Sequence, residues 1–149
     1  MMKKWMRIGA VLVAVLLFGA SLAIAGPWKG SGGWGMGSQY QRNFNILTVE
    51  TIAGTVASVE QTKPMKGMYY GIHIIVKTEK ESLEVHLGPG WYIERLDTRI
   101  EKGDKVEVKG SRVTMAGKQV IIAQEVKKGD NTLILRDNAG IPAWAGWRR

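Results

Sequence analysis

Hydrophobic and polar residues alternate through two neighbouring segments in the middle of the chain. Residues 70–76 place four apolar side chains on one parity, and residues 83–87 place three more on one parity. These side chains are Tyr70, Ile72, Ile74, Val76, Leu83, Val85 and Leu87. A period of two is typical of strands with one buried face. Because only a short charged segment separates the two runs, the pattern predicts a tight antiparallel hairpin.

The register of this hairpin follows from placing both apolar faces on the same side of the sheet. That requirement puts Ile74 opposite either Val85 or Leu87. In both registers the only two histidines of the chain, His73 and His86, share the opposite face, either directly across from each other or diagonally. The sequence therefore predicts a pair of histidines that point to solvent from the outer face of the sheet.

Further alternating runs predict strands on both sides of the hairpin. They cover residues 49–61, 105–115, 119–126 and 132–136. Gly54 interrupts the first run, which indicates a bulge or sharp bend. Between the third and fourth strands, Ile93, Leu96 and Ile100 have helical spacing and predict one or two helical turns. Short strands with frequent turns and one brief helix predict an all-β protein, a small barrel of five or six strands.

The first 25 residues have the pattern of an export signal. A basic start is followed by a long apolar run and by Ala23-Ile24-Ala25, in which the two alanines are the small residues that a signal peptidase requires. We expect cleavage near Ala25 and a periplasmic or secreted protein. The alternative is a retained membrane anchor, since residues 8–25 are at the lower limit of a membrane-spanning length. The chain has no cysteine, which excludes a lipidated cysteine, disulfides, thiolate metal sites and covalent c-type haem.

Residues 26–45 contain six glycines and no apolar periodicity, so they predict a flexible tether. Trp28 and Trp34 are unusual in such a segment. They could hold a partner or a membrane interface, or they could pack loosely against the domain or stay disordered. The predicted organisation is thus a signal peptide to residue 25, a tether, a barrel at 46–136 and a tail at 137–149.

The tail is aromatic and basic, with Trp144, Trp147, Arg148 and Arg149 as candidate partner-binding residues. An alternative is that the tail folds back and caps the opening of the barrel. The net charge of +8 suits a basic surface that meets anionic lipid, polysaccharide or an acidic protein. The charge is too dispersed for a dedicated nucleic-acid-binding protein, so nucleic acid is not an expected partner, and a membrane is expected only through an uncleaved signal segment.

The candidate ligand-binding face is the outer side of the central hairpin. It carries Tyr69, His73, Ile75, Lys77, Glu84 and His86. The two histidines could bind zinc, copper or nickel, with Glu84 as a third ligand, or could contact a haem carried by a partner. The alternative is that both are polar residues on a solvated sheet face. No resident cofactor is implied by the sequence itself.

Motifs of catalysis are missing from the chain. It has no cysteine nucleophile, no G-x-S-x-G segment and no glycine-rich phosphate loop at a strand-to-helix junction. The acidic residues of the hairpin turn alternate with lysines, which is typical of a solvated surface. The sequence therefore predicts a protein that is not an enzyme.

Three segments resemble those of a known family of small exported proteins: residues 52–56, residues 83–87 and residues 100–110. With a bent, glycine-containing first strand and a helix between strands three and four, the chain resembles the bacterial OB-fold proteins of the periplasm. The resemblance covers about residues 48 to 128 and implies an OB-like barrel and a non-enzymatic envelope protein, linked in some relatives to stress tolerance or small-ligand binding. The Gly/Trp segment and the tail depart from the family's short members.

Two functions follow as predictions. The first is an exported binding or assembly module of the cell envelope, whose partner is an envelope protein or a small ligand. The alternative is a metal- or haem-associated accessory protein of a periplasmic redox system, which would use His73 and His86.

Overall fold

A computed structural model describes residues 32–145 of the chain. Its six strands are β1 (Val49–Thr62), β2 (Gly71–Lys77), β3 (Ser82–Pro89), β4 (Lys105–Met115), β5 (Lys118–Lys128) and β6 (Asn131–Ile134). One short helix in this range, α1 (Gly90–Ile93), lies between β3 and β4, and two 3₁₀ turns at Gln41–Asn43 and Ile46–Thr48 precede β1. None of the helices between residues 32 and 145 has the length and apolar character needed to span a bilayer.

The strands form one sheet in which β3, β2, β1, β4, β5 and β6 are successive neighbours. A further pairing between β3 and β5, parallel where all the others are antiparallel, closes the first five strands into a ring. The predicted fold class is confirmed: the protein is all-β, with six strands and one short helix between the third and fourth.

Strand β1 takes part in two pairings because it bends. Its first half, to Thr55, pairs with β4, and its second half, from Thr55, pairs with β2. Gly54 lies where the two halves meet, and a Cβ atom there would lie 2.4 Å from the carbonyl oxygen of Lys77. Gly54 is therefore needed because the backbone of Lys77 approaches it closely. The irregularity in strand pairing lies a little further along β1, between Val56 and Ser58.

The central hairpin has the first of the two predicted registers. Ile74 pairs with Val85, and His73 pairs directly with His86. Aliphatic side chains from all six strands fill the interior of the ring, with Ile74, Val76 and Val85 completely buried. The period-two pattern of the sequence thus predicted the inner face of β2 and β3 correctly, whereas Tyr70, placed on the same face, precedes β2 and is partly exposed.

A second layer covers the outer face of this hairpin. Residues 32–45 and 135–145 pack over it, and the side chains of Trp34, Tyr40 and Trp144 are buried. The sheet makes room with two glycines, since a Cβ at Gly71 would lie 2.1 Å from the Trp34 ring and a Cβ at Gly88 would lie 2.8 Å from the Trp144 ring. Residues 32–45, predicted as part of a tether, are therefore packed against the domain, because burial of their aromatic rings outweighs the chain entropy lost.

The beginning of the predicted tail belongs to the same layer. The indole nitrogen of Trp144 donates a hydrogen bond to the carbonyl oxygen of Trp34 at 2.8 Å, and its ring lies under the guanidinium of Arg136, whose carbon is 4.9 Å from the ring centroid. Trp144 was a candidate partner-binding residue, with folding back of the tail onto the barrel as the alternative, and its side chain is wholly buried within the domain. The predictions on Trp147, Arg148 and Arg149, like those on Trp28 and the signal peptide, lie outside the described residues.

Candidate metal centre

The two histidines occupy neighbouring positions on β2 and β3, on the outer face of the sheet as predicted. Their predicted exposure to solvent is wrong: only 6% of His73 and 3% of His86 is exposed. The reason is the second layer, in which Tyr40 stacks on the His86 ring with 5.9 Å between ring centroids and 18° between planes. The two imidazole rings themselves lie nearly parallel, 5.9 Å apart.

Glu84 brings its carboxylate between these rings. It lies two residues before His86 on β3, and side chains two apart share one face of a strand. Its Oε2 atom is 3.1 Å from Nε2 of His86, and its Oε1 atom is 3.4 Å from Nδ1 of His73. One donor atom from each of the three residues therefore falls within a cluster whose members are all within 4.8 Å of one another.

The far nitrogen of each ring is held by a partner of its own. Nε2 of His73 is 3.1 Å from Oε1 of Glu60, which lies opposite His73 on β1. Nδ1 of His86 is 3.0 Å from the hydroxyl oxygen of Tyr40. An imidazole that points one nitrogen into a cluster while a carboxylate or hydroxyl holds the other is the arrangement of histidines that bind metals.

The inward nitrogen of His73 has no hydrogen-bond partner although it is buried. Its 3.4 Å contact with Glu84 is close but lacks hydrogen-bond geometry. The Glu60 carboxylate can only accept, so Nε2 of a neutral His73 carries the proton and Nδ1 presents a lone pair to Glu84. Buried polar atoms almost always have a partner. A cation between Nδ1 of His73 and the Glu84 carboxylate would give both groups a binding partner.

The charge states of the cluster suit a cation. Burial opposes ionisation of Glu84, but the hydrogen bond from His86, the charges of both imidazoles and the contact with Lys118 outweigh it, so the pKa of Glu84 is lowered. Burial lowers the pKa of His86, and this effect exceeds the opposing one of Glu84. The ionised Glu84 carboxylate has lone pairs available for a metal, and neutral His86 offers one from Nε2 when its proton lies on Nδ1.

The donor set and its spacing fit a small divalent transition metal. With metal–ligand bonds of about 2.0–2.2 Å, neighbouring ligands of a tetrahedral ion are roughly 3.4 Å apart, close to the 3.1 and 3.4 Å found here. Two imidazole nitrogens and one carboxylate oxygen are also the protein ligands of non-haem Fe(II) sites, which leave further positions open. His73, Glu84 and His86 could therefore hold such an ion with small side-chain adjustments.

Lys118 lies at the edge of the cluster. Its ammonium group is 3.3 Å from Oε1 of Glu84, and most of its side chain is exposed. Because Glu84 is only partly covered, this contact lies at the exposed side of the site. The lysine offsets the negative charge of the carboxylates and competes with any other cation for Glu84.

The other predicted residues of the outer face lie away from the cluster. Tyr69 precedes β2, and its side chain is half exposed, while its carbonyl oxygen accepts a hydrogen bond from Trp34. Ile75 pairs with Glu84 on the neighbouring strand and offers no ligand atom. Lys77 lies at the end of β2, beside the cleft around Gly54. The structure thus brings together three of the six predicted residues.

Two residues that hold the histidines were missed by the sequence reasoning. Glu60 lies on β1, and its position opposite His73 depends on the pairing of β1 with β2, which could have been predicted from the same parity argument. Tyr40 lies in the glycine-rich segment, where no periodic pattern marks a contact. Its contact with His86 depends on the packing of this segment over the sheet.

Comparison with protein families identifies a match that covers most of the strands. The model of the MamS/MamX magnetosome protein family matches residues 48–133, more than half of the chain. The matched range contains Glu60 and all three cluster residues, whereas Tyr40 lies before it. A comparison with curated proteins found no match.

Proposed function

The chain belongs to the MamS/MamX magnetosome protein family, and on this premise we propose that it is an exported, non-enzymatic accessory protein of the magnetosome that binds a divalent transition metal. The ligands are Nδ1 of His73, the carboxylate of Glu84 and Nε2 of His86. The observation that carries the proposal is that these three donors lie close together and that one of them, the buried Nδ1 of His73, has no hydrogen-bond partner.

The ligand set favours an ion of borderline character. Imidazole suits iron, zinc, nickel and copper, and the carboxylate adds affinity for ions that prefer oxygen. Two histidines and one carboxylate leave coordination positions for water, as in Fe(II) proteins. In solution the affinity is expected to follow the usual order, with Cu(II) tightest and Mn(II) weakest, so the ion bound in the cell depends on supply.

A haem-associated role has less support from the geometry. For a haem carried by a partner to be ligated, one imidazole has to approach the iron from the protein surface. Both rings are almost wholly buried, and the second layer would have to separate from the sheet before His86 could reach a haem. A small ion needs no such displacement, because the three donor atoms already face one another.

Metal titration of the mature protein tests the proposal. Co(II) reports its coordination by visible absorption, and calorimetry with Zn(II) and an anaerobic Fe(II) titration give stoichiometry and affinity. We expect one ion per chain. Glu84→Gln and the double variant His73→Ala/His86→Ala should weaken binding by at least about tenfold, since each removes ligands.

Glu79→Gln is the matched control, because Glu79 is an exposed carboxylate of the same hairpin. It should bind the ions as the parent does. Circular dichroism and thermal unfolding in EDTA check that each variant is folded. If the double-histidine variant binds Co(II) and Zn(II) as tightly as the parent, the proposed site is wrong. A parallel titration with haemin that shows tight, histidine-dependent binding would favour the haem-associated role.

A further inference from the structure

Tyr40 contacts Nδ1 of His86, the ring nitrogen opposite the proposed metal ligand Nε2, so it can respond to a change in the protonation of Nε2. Its side chain is buried, its ring stacks on the imidazole, and its hydroxyl is 3.0 Å from Nδ1. At the other nitrogen, Nε2 is 3.1 Å from the Glu84 carboxylate. His86 is thus held between a group that only accepts hydrogen bonds and a group that can donate or accept.

These partners fix where the proton of a neutral His86 resides without metal. A carboxylate only accepts, so Nε2 carries the proton and donates to Glu84. Nδ1 then has a lone pair, and the Tyr40 hydroxyl donates to it. In this state Nε2 cannot bind a metal, because its lone pair has been used by the proton.

Metal binding at Nε2 requires the other tautomer. The proton must leave Nε2 and a proton must reside on Nδ1, so that the ring remains neutral and its lone pair at Nε2 is free for the ion. Nδ1 then donates, and the oxygen of Tyr40 accepts. A phenol hydroxyl can make this change by rotating its O–H bond, with no movement of the ring.

His73 behaves differently, because its outer partner is the Glu60 carboxylate. Of the two nitrogens of His73, Nε2 is the one with a hydrogen-bonded carboxylate, that of Glu60, which only accepts, so the neutral ring places its proton on Nε2 and leaves Nδ1 as an acceptor. His73 therefore has the tautomer that a metal requires before the metal arrives. Of the two imidazoles, His86 is the one that has to change.

We propose that Tyr40 is a positioning residue of this site, whose hydroxyl supports both tautomers of His86 and so allows Nε2 to change from hydrogen-bond donor to metal ligand. The inference rests on the proposed function and deepens it. It also means that residues 32–45, which lie outside the family match, complete the site. Metal binding and packing of this segment then favour each other, as linkage requires.

The contacts of the segment show how Tyr40 is held. Its ring contacts that of Trp34, with 4.7 Å between centroids. Trp34 donates to the carbonyl oxygen of Tyr69 at 2.9 Å and accepts from the indole of Trp144 through its own carbonyl. The position of the Tyr40 hydroxyl is therefore determined by the packing of Trp34 on Tyr40 and by the hydrogen bonds that hold Trp34 to Tyr69 and Trp144.

Nitrogen-15 NMR of the imidazoles tests the inference in the unmodified mature protein. Without metal we expect His86 with its proton on Nε2, and with bound Zn(II) we expect the proton on Nδ1 and the metal on Nε2. His73 should have its proton on Nε2 in both states. The inference is overturned if His86 has the same protonated nitrogen with and without zinc.

Tyr40→Phe tests the hydroxyl by itself, since phenylalanine keeps the ring and its packing. We expect Co(II) and Zn(II) affinity to fall by about 10- to 100-fold, the usual effect of removing a group that holds a metal ligand. Tyr70→Phe is the matched control, because it removes a hydroxyl that contacts Glu94 at a different part of the protein. The control should bind both ions as the parent does.

The outcomes separate the two proposals. If Glu84→Gln and the double-histidine variant weaken binding but Tyr40→Phe does not, only the role of Tyr40 is refuted. If none of these variants changes binding, the metal site itself is wrong. Thermal unfolding in EDTA identifies a loss of folding in Tyr40→Phe. In that case the hydroxyl proton of Tyr40 in the unmodified protein decides: its NMR signal should shift when Zn(II) reverses the hydrogen bond with Nδ1 of His86, and an unchanged signal refutes the role of Tyr40.

Discussion

Gly71 provides the strictest test of the two-layer structure. It begins β2 directly beneath Trp34, and a Cβ atom there would lie 2.1 and 2.5 Å from two atoms of the indole ring. Contacts this short are not tolerated, and the indole of Trp34 is completely buried, in an interior that is close-packed. The substitution Gly71→Ala should therefore push Trp34 off the sheet or distort β2.

The size of the effect follows from what Trp34 buries. A tryptophan in a core removes about 150–250 Å² from water, which at about 25 cal/mol per Å² corresponds to roughly 4–6 kcal/mol. Measured losses for removing a buried tryptophan are about 3–5 kcal/mol. We expect Gly71→Ala to lower the free energy of unfolding by a similar amount, about 3–5 kcal/mol, with full displacement of the ring as the upper bound.

A double-mutant cycle shows whether the indole is the cause. Urea unfolding followed by circular dichroism is measured for the parent, Gly71→Ala, Trp34→Ala and the double variant. Without the indole, the remaining close contact of the new methyl group is the carbonyl oxygen of Gly88 at 2.8 Å. This contact with backbone still has a cost, so the alanine should cost less than in the parent but not nothing, which gives a coupling energy of about 1–2 kcal/mol.

Two results would refute this reasoning. If Gly71→Ala alone changes the free energy of unfolding by less than about 0.5 kcal/mol, as an ordinary surface substitution does, the indole does not lie on Gly71. If the two substitutions are simply additive, the glycine acts through its own strand and not through Trp34.

Two further predictions concern charged groups. The hydrogen bond and charge of Arg112 hold the pKa of Glu50 below its usual value. The pair therefore stabilises the fold at pH values above the carboxyl pKa of the unfolded chain, and this stabilisation is lost as the pH falls through the lower pKa of the folded protein. In Arg112→Gln, the urea midpoint should fall less between pH 5 and pH 3 than it does in the parent. Lys118→Gln should strengthen Co(II) binding by about two- to fivefold at low salt, because it removes a competing cation from Glu84, and unchanged or weaker binding in calorimetry would contradict this.

Several statements made from the sequence are still predictions. The resemblance to the small exported OB-fold proteins and the removal of a signal peptide concern features that neither the fold nor the family match tests. The absence of catalysis is likewise a prediction. What the comparison adds is the MamS/MamX magnetosome family, which the sequence motifs did not suggest.

The sequence by itself determined the central hairpin and the pairing of its histidines. Side chains of a strand alternate between two faces, so the apolar positions of β2 and β3 predicted the inner face and two registers, both with His73 and His86 on the other face. The structure has the register in which His73 lies directly opposite His86. Glu84 followed from the same local geometry, because it lies two residues before His86. These results need only the period of the strand and one buried face.

The tertiary structure alone decided that the outer face of β2 and β3, which carries the histidines, is covered. Tyr40 and His86 are 46 residues apart in sequence, and the segment of Tyr40 has no periodic pattern that would predict its packing. Burial of Trp34 and Trp144 on two glycines holds that layer in place, and complementarity of this kind depends on three-dimensional shape. For this reason the sequence predicted two exposed histidines, whereas the folded chain encloses them in a site suited to a metal ion.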